Sequence, residues 1–173
     1  GARLYIPRLR KYHDRCHHSS CPPARSGGKR GQQLQAIGRS RGGITTKIHA
    51  VVDALGNPLR FELTAGNCHD CVKGYEMLQD MDLIGKTVIA DRGYDMNNIL
   101  ELIEKQQAVA VIPSRKHRKI QRTCDWWLYK ERHLVECLFN KLKHYRRLAT
   151  RYDKLACSFA AFLSLASILL WLN

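Results

Sequence analysis

Four residues between positions 129 and 143 combine side-chain types that suit phosphate chemistry, namely a carboxylate, two cations and a phenol. They are Tyr129, Arg132, Glu136 and Lys143, separated by three, four and seven residues. On a helix, at about 100° per residue, the other three project within roughly 40° of Glu136. The spacing therefore predicts one helix over 129–143 whose polar face presents a carboxylate between cations.

The opposite face of this predicted helix is apolar. Its side chains are Leu134, Val135, Leu138 and Leu142. Such a helix has one face to bury and one to expose. Spacing alone also fits an ordinary surface helix in which Arg132 and Glu136 form a simple ion pair four residues apart. The identities of the four polar residues favour the chemical interpretation.

The pattern Tyr-x2-Arg-x3-Glu-x6-Lys resembles the signature of one subgroup of insertion-sequence transposases of the Asp-Asp-Glu class. The similarity continues through residues 146–153 and in the upstream block 38–47, Gly-Arg-Ser-Arg-Gly-Gly-Ile-Thr-Thr-Lys. It covers roughly residues 31–173, which correspond to the C-terminal part of such a catalytic domain. The resemblance implies an enzyme that cuts and rejoins DNA phosphodiester bonds at the ends of an insertion sequence.

The resemblance also implies roles for single residues. Asp91, in the sequence Ala-Asp-Arg-Gly-Tyr at 90–94, matches the family's second catalytic aspartate, and Glu136 matches its glutamate. Both are expected to bind Mg²⁺ or Mn²⁺, because hard cations take carboxylate oxygens and this chemistry uses two divalent ions. Without the family context, Asp91 is a turn residue at a strand end. The DNA-binding residues implied are Tyr129, Arg132, Lys143, Arg39, Arg41, Arg146 and Arg147.

The family's first catalytic aspartate has no clear counterpart. Asp14 lies at about the right distance before residue 38, but its neighbours do not form the apolar strand that the family shows there. Asp53 is the other candidate, and its place beside a predicted turn explains it for local reasons. Losing one of three metal-ligating carboxylates should remove most catalysis and leave phosphate contacts intact. We therefore predict a decayed transposase; the alternative is a non-catalytic basic DNA-binding protein.

A shifted reading frame is one explanation for the missing aspartate. Residues 1–28 lack hydrophobic periodicity and are predicted to be an irregular tail. The family's first strand is central in its fold, so its replacement by residues 10–23 would leave neighbouring strands with unpaired edges. Back-translating residues 13–22 one nucleotide later can yield Met-Ile-Asp-Ala-Thr-Ile-Val-Arg-Ala-His, similar to the family's first strand, although codon degeneracy permits other peptides. Sequencing the gene tests this hypothesis: a shifted frame without an Ile-Asp-Ala/Ser-Thr string across Arg15 and Cys16 refutes it.

Composition points to a polyanionic partner. The 173 residues include 29 Lys and Arg against 15 acidic residues, a formal charge of +14, and 45% hydrophobic residues suit one globular domain. The basic residues cluster in three runs: Arg39 and Arg41; Arg115, Lys116, Arg118, Lys119 and Arg122; Lys141, Lys143, Arg146, Arg147 and Arg151. Such runs neutralise phosphates along a groove, although a solvated basic surface has the same composition. The expected partners are the terminal repeats and target DNA, with the protein forming a homo-oligomer on DNA.

Cysteine usage and the C-terminal residues indicate where the protein works. Seven cysteines without a secretory signal are expected to be reduced thiols of a cytoplasmic, nucleoid-associated bacterial protein. Zinc is not expected, because the Cys68-x-x-Cys71 pair has no second ligand pair at comparable spacing. Residues 155–173 are uncharged and apolar but contain three serines, which favours a buried terminal helix over a membrane anchor.

The elements that must position the site residues alternate between strands and helices. Strand-like runs at 48–52 and 59–63 flank a turn, and 87–90 and 109–112 predict two further strands, the first ending at Asp91. Helix-like spacing predicts a helix over 72–78. A second helix is predicted to begin after Asp95, its expected N-cap, and to run to about Lys105. Asp125 is expected to cap the helix that carries Tyr129. Trp126 and Trp127 are expected to anchor that helix rather than stack on bases.

Together these patterns predict an α/β fold, a ribonuclease-H-like mixed sheet with flanking helices that is incomplete at the N-terminus. The predicted organisation is an irregular tail over 1–28 followed by a partial catalytic domain over 29–173.

Overall fold

The computed structural model describes residues 3–6, 10–13, 35–40, 43–153 and 155–172. It separates into two compact units. Unit 1 comprises Gly1–Arg8, His49–Arg60 and His69–Leu138, and unit 2 comprises Leu9–Ile48, Phe61–Cys68 and Phe139–Asn173.

The described strands are β1 Arg3–Ile6, β2 Arg10–His13, β3 Gly38–Ser40, β4 Gly43–Val52, β5 Pro58–Ala65, β6 Thr87–Ala90 and β7 Val109–Val111. The described helices are α1 Asp70–Gln79, α2 Asn97–Lys105, α3 Trp126–Lys130, α4 His133–Lys143, α5 Arg146–Ala149 and α6 Ala156–Trp171, with a 3₁₀ turn at Arg92–Tyr94. The boundary between the units falls within β4, β5 and α4.

Unit 1 contains a mixed sheet in the order β4-β1-β6-β7. Strands β1, β6 and β7 run parallel, and β1 is antiparallel to β4. In the register of β1 and β6, Ile6 lies opposite Ala90, the residue before Asp91. The apolar run of β6 is fully buried, as expected of a parallel strand covered on both faces. This mixed sheet with flanking helices confirms the predicted ribonuclease-H-like class.

In the core of unit 1, side chains of α1 and α2 pack with those of the sheet and of the 3₁₀ turn. It is built from Leu4, Ile6, Val51, Met77, Leu78, Leu83, Val88, Ala90, Tyr94, Ile99, Ile103 and Ile112. Gly74 on α1 permits a close approach, because a Cβ there would collide with the ring of Tyr94. The turn that follows Asp91 is therefore fixed by a buried aromatic ring.

Unit 2 is organised around the first half of β4. Strands β2 and β3 pair antiparallel with it, and β4 also pairs with β5. Arg151 is 0% exposed and donates to the carbonyl oxygens of Gln35 and Asp153, each at 2.9 Å, and to the hydroxyl of Thr46. Its guanidinium also lies 5.4 Å from the centroid of the Phe159 ring on α6.

Several local predictions are confirmed. The β4–β5 hairpin, β6, β7, α1 and α2 lie where the sequence predicted them. The stretch 1–28, expected to be irregular, nevertheless contains β1 and β2. Because β1 pairs with β4 on one edge and β6 on the other, the prediction that its neighbours have unpaired edges is wrong.

The terminal helix α6 differs from the buried helix that the sequence predicted. It buries one stripe, formed by Phe159, Leu163 and Ala166. Leu165, Ile168 and Leu172 are exposed. No helix in the described part of the chain is long and apolar enough to cross a membrane.

Candidate active site

Asp91 follows β6 directly and begins the 3₁₀ turn. Its side chain is half-buried, and its backbone carbonyl accepts a hydrogen bond from Tyr94 N at 2.9 Å. Burial raises the pKa of the Tyr94 phenol, and the carboxylates of Asp70 and Asp91 raise it further. The carboxylate of Asp91 thus lies at the end of a buried parallel strand, within electrostatic reach of a buried phenol.

The signature run is not one helix, so the single-helix prediction is wrong. Asp125 caps α3 as predicted, accepting from Trp127 N and Leu128 N at 3.0 Å each. Between α3 and α4 the backbone hydrogen bonds change to i→i+3, as in Arg132 N to the carbonyl of Tyr129 at 3.1 Å. Such bonds tighten a helical turn. The tightened turn separates α3, which carries Tyr129, from α4, which carries Glu136.

Contacts within unit 1 nevertheless link the signature residues. The guanidinium carbon of Arg132 lies 5.7 Å from the ring centroid of Tyr129, and its Nη2 donates to Glu136 Oε1 at 3.1 Å. Burial raises the pKa of Tyr129; Arg132 opposes this shift and the charge of Asp91 adds to it. The strand end at Asp91 is therefore coupled electrostatically to the phenol beside Arg132.

Glu131 was missed by the sequence analysis, and it ties the junction of α3 and α4 to β1. Arg3 Nη1 donates to both of its carboxylate oxygens at 2.7 Å, and the hydroxyl of buried Tyr5 also donates to it. Burial and the neighbouring Glu131 raise the pKa of Tyr5 to about 12. Hydrogen bonds from Tyr5 and Arg3 lower the pKa of Glu131. Its partners are 128 and 126 residues away, so no local pattern revealed it.

The prediction that Asp95 caps α2 is wrong. The N-cap is Met96, and no side chain caps the helix. Asp95, only 3% exposed, accepts from Arg115 N at 2.7 Å, Arg118 Nη1 at 2.6 Å and Arg122 Nη2 at 2.7 Å. Burial alone would raise its pKa, but these hydrogen bonds and charges lower it.

The remaining predicted DNA-binding residues lie in unit 2 or outside the described side chains. Lys143, Arg146 and Arg147 are exposed at the end of α4 and on α5. Arg147 lies 4.2 Å from the Phe162 ring centroid and 3.6 Å from Asp153. Arg41 and the side chain of Arg39 lie outside the described residues. Arg151, part of the same predicted basic run, is buried and cannot reach a phosphate.

Carboxylates that would complete a metal site are scarce. Among the described residues, no three His, Cys, Asp or Glu side chains are grouped so that they could hold a metal ion. Strands β1 and β2 contain no acidic residue. Asp53 stabilises the turn beside it, as predicted, by accepting hydrogen bonds from Leu55 N at 2.9 Å and Asn57 N at 2.8 Å. Asp14 lies outside the described residues.

The two tryptophans do not anchor α3, so that prediction is wrong. Trp126 is 57% and Trp127 71% exposed. The Trp126 ring meets Tyr129 edge-on, with centroids 5.6 Å apart and planes at 86°. The signature phenol thus lies beside exposed aromatic surface.

Comparisons with known proteins agree with the signature. A family model described as the transposase DDE domain matches residues 14–171. A relative from Brucella ovis, described as a transposase for insertion sequence element IS6501, is 45% identical over 131 residues, which are 75% of this chain and 100% of that protein. Another from Burkholderia cepacia, described as a transposase for insertion sequence element IS402, is 30% identical over 138 residues, 74% of this chain and 63% of that protein. No solved structure matches the chain significantly.

The family match is longer than the signature residues indicate. It begins at residue 14 and so includes residues 14–28, which the sequence motifs alone leave outside the resemblance. It also covers Asp91 and the whole of 129–143. The chain therefore belongs to the transposase DDE domain family.

Proposed function

We propose that this chain is a DNA transposase of reduced activity whose catalytic carboxylates are Asp91 and Glu136. One observation carries the proposal: the series of neighbours in unit 1 that leads from the strand end to α4. Helix α3, which carries Tyr129, lies against β6, the strand that ends at Asp91. Arg132 lies over the Tyr129 ring and pairs with Glu136. A carboxylate at a strand end, coupled in this way to a helical glutamate, supports metal-dependent phosphodiester cleavage and strand transfer.

The donor set fits one hydrated magnesium ion. Mg²⁺ prefers oxygen ligands and commonly keeps several waters, being held by one or two carboxylates and by substrate phosphates. Asp91 and Glu136 would hold it, and when bound it supplies positive charge to the phosphate oxygens. A two-ion arrangement needs a further carboxylate, and β1 and β2 have none. This shortage supports reduced activity.

The chain's own side chains would bind and orient the DNA. Arg132 has five N–H donors, and its pair with Glu136 uses one of them, so several remain for a phosphate. Tyr129, beside the exposed Trp126, would position a nucleotide at the element end. Lys143, Arg146 and Arg147, together with Arg39 and Arg41, would contact further phosphates.

Plasmid nicking tests the catalytic assignment. Supercoiled DNA carrying the sequences that flank the gene is incubated with protein and Mg²⁺ or Mn²⁺, and wild type is compared with Glu136→Gln. We expect weak nicking that requires the metal and disappears in the variant, with DNA binding unchanged. Nicking that persists in Glu136→Gln, or that needs no metal, contradicts the assignment.

The second candidate is a non-catalytic DNA-binding protein. The observation that favours it is the absence of any acidic residue in β1, the strand that pairs with β6 and so lies beside the strand end at Asp91. It predicts DNA binding that weakens with salt, is indifferent to metal and is accompanied by no nicking. The same plasmid experiment, run beside a binding titration, separates the two candidates.

We also propose that the protein acts on terminal repeats and target DNA at the bacterial nucleoid, as a homo-oligomer on DNA. The formal charge of +14 supports a DNA partner. Light scattering with and without a duplex tests the assembly: an increase from one protein copy to two or more per duplex is expected. A single copy per duplex at saturation contradicts it.

A further inference from the structure

A basic loop, residues 114–122, follows β7 in unit 1. It contains five cations and no acidic residue. The cations are Arg115, Lys116, Arg118, Lys119 and Arg122. Asp95 is the carboxylate against which the loop folds. Five cations against one carboxylate leave an excess of four positive charges.

Hydrogen bonds hold this basic loop in one conformation. The side-chain amide of Gln121 donates to the carbonyl oxygens of Arg115 at 3.0 Å and Arg118 at 2.9 Å. Arg122 N donates to the hydroxyl of Ser114 at 3.0 Å. The loop is also tied to the turn after Asp91, because Arg115 Nη2 donates to the carbonyl of Gly93 at 2.7 Å.

A shallow cavity of about 500 Å³ opens between the loop and the start of α2. Its lining residues are Asn97, Arg118, Lys119, Ile120 and Arg122. Three of the five are cations and none is acidic, but the walls of the cavity are almost wholly apolar, so these cations present their carbon chains to it rather than their charged ends. Asn97 accepts from Arg118 Nη2, which fixes the guanidinium at the rim. Lys119 is exposed, and its ammonium has three N–H donors.

We propose that the basic loop, at the rim of this cavity, binds a backbone phosphate of duplex DNA, and that Asp95 is the positioning residue that organises the loop. The proposal rests on the proposed function for its ligand class. Arg118 and Arg122 share one oxygen of Asp95, so a single buried carboxylate sets the separation of two guanidiniums. A site ordered before binding loses less conformational freedom when the ligand arrives.

A purely structural interpretation makes a different prediction. If Asp95 serves stability alone, the excess charge of the loop would attract DNA without any defined site, and the two exposed lysines of the loop, Lys116 and Lys119, would contribute similarly. A defined site makes Lys119 more important than Lys116. The matched control is therefore Lys116, which is exposed on the same loop and does not line the cavity.

The first test compares Lys119→Ala with Lys116→Ala. Binding to a fluorescent duplex without element ends is measured in EDTA over a range of salt. Each phosphate contact contributes about 0.9 to the slope of log K against log salt, so Lys119→Ala should lower the slope by about 0.9 and weaken binding roughly five- to tenfold near 0.1 M salt. Lys116→Ala should have a clearly smaller effect on both the slope and the affinity. Equal effects of the two variants overturn the proposal.

The second test is Asp95→Asn, followed by circular dichroism to show that the variant is folded. This change removes a negative charge, so simple electrostatic attraction predicts tighter DNA binding. Our proposal predicts several-fold weaker binding and a smaller salt slope, because Arg118 and Arg122 lose their common anchor. Tighter binding by the folded variant contradicts the proposal. If the variant does not fold, the comparison of Lys119→Ala with Lys116→Ala decides.

These measurements are independent of catalysis. They use no metal and no element ends. A failure of the proposed function, with no metal-dependent nicking, would leave the loop's binding in place. A failure of the loop site would leave nicking in place with its salt dependence unchanged in Lys119→Ala.

Discussion

Asp91 and Asp95 lie four residues apart around one turn, and their surroundings differ sharply. Asp91 is half-buried at the strand end, where its charge acts on the phenols of Tyr94 and Tyr129. Asp95 is enclosed by the basic loop and accepts hydrogen bonds from a backbone amide and two guanidiniums. Asp91 is the carboxylate for which we propose a metal-binding role, and Asp95 is bound by cations of the chain itself. Surroundings rather than the motif separate the two roles.

The largest expected effect is the loss of stability in Asp95→Ala. The change removes the partner of two guanidiniums that are only 27% and 33% exposed. Breaking such an arrangement should cost about 3 kcal/mol of unfolding free energy, at the lower end for buried pairs because the arginines reach solvent. Urea unfolding measures it, with Asp91→Ala as the control, for which the cost should stay below about 1 kcal/mol. Equal losses would remove the distinction between the two aspartates.

Asp91→Asn tests the catalytic role that we propose for Asp91 and not for Asp95. The amide keeps the shape of the side chain but loses the charge that a divalent ion needs. We expect residual nicking to fall at least about a hundredfold, since metal-ion catalysis contributes several kcal/mol. The unfolding midpoint in urea should hardly move. Nicking at the wild-type rate would show that Asp91 is not a ligand.

Glu131→Gln should have a smaller effect on both stability and nicking. Glu131 carries neither proposed role, but it fastens the junction of α3 and α4 to Arg3 and Tyr5 on β1. Losing its charge should lower the melting temperature by about 2–4 °C, and reduce residual nicking several-fold by loosening Tyr129 and Arg132. Glu101→Gln, on the exposed side of α2, is the matched control and should change neither.

The smallest expected effect is the loss of stability at low pH. The pKa values of Asp95 and Glu131 are both lowered in the folded protein. Their contribution to stability is therefore present above the unfolded-state values near 4 and is lost as the pH falls through the lower folded values. Melting temperatures between pH 6 and pH 2.5 should show this loss. Asp95→Asn should show a shallower decline, and an identical decline would contradict the assignment.

Local signals explain which parts of the fold the sequence predicted. The turn at Asp53, the short apolar strand β6 and the Asp125 cap depend on neighbours within a few residues, so their patterns are visible in the chain. Strands β1 and β2 were missed because each is only four residues long, and because two of the four residues of β2 are Arg or Lys. Their pairing is decided by β4 and β6, which are distant in sequence.

The site shows the same limit more clearly. A basic run identifies cations, but it does not show which of them are hydrogen-bonded within the fold. Arg151 donates hydrogen bonds to Gln35 and Thr46, which are 116 and 105 residues away in sequence, and so it cannot contact DNA. Arg118 and Arg122 are partly used by Asp95, which local reasoning assigned to a helix cap. Only the cations left exposed, such as Lys119, keep the role that composition suggested.

The central claim is that Asp91 and Glu136 bind the same divalent ion. Crystals of the protein grown with Mn²⁺, in complex with a short duplex, test it through anomalous scattering. We expect one anomalous peak with an oxygen of each carboxylate about 2.1–2.2 Å away, and no peak at that position in Glu136→Gln. Density showing these carboxylates on separate surfaces, or manganese held elsewhere, would contradict the account.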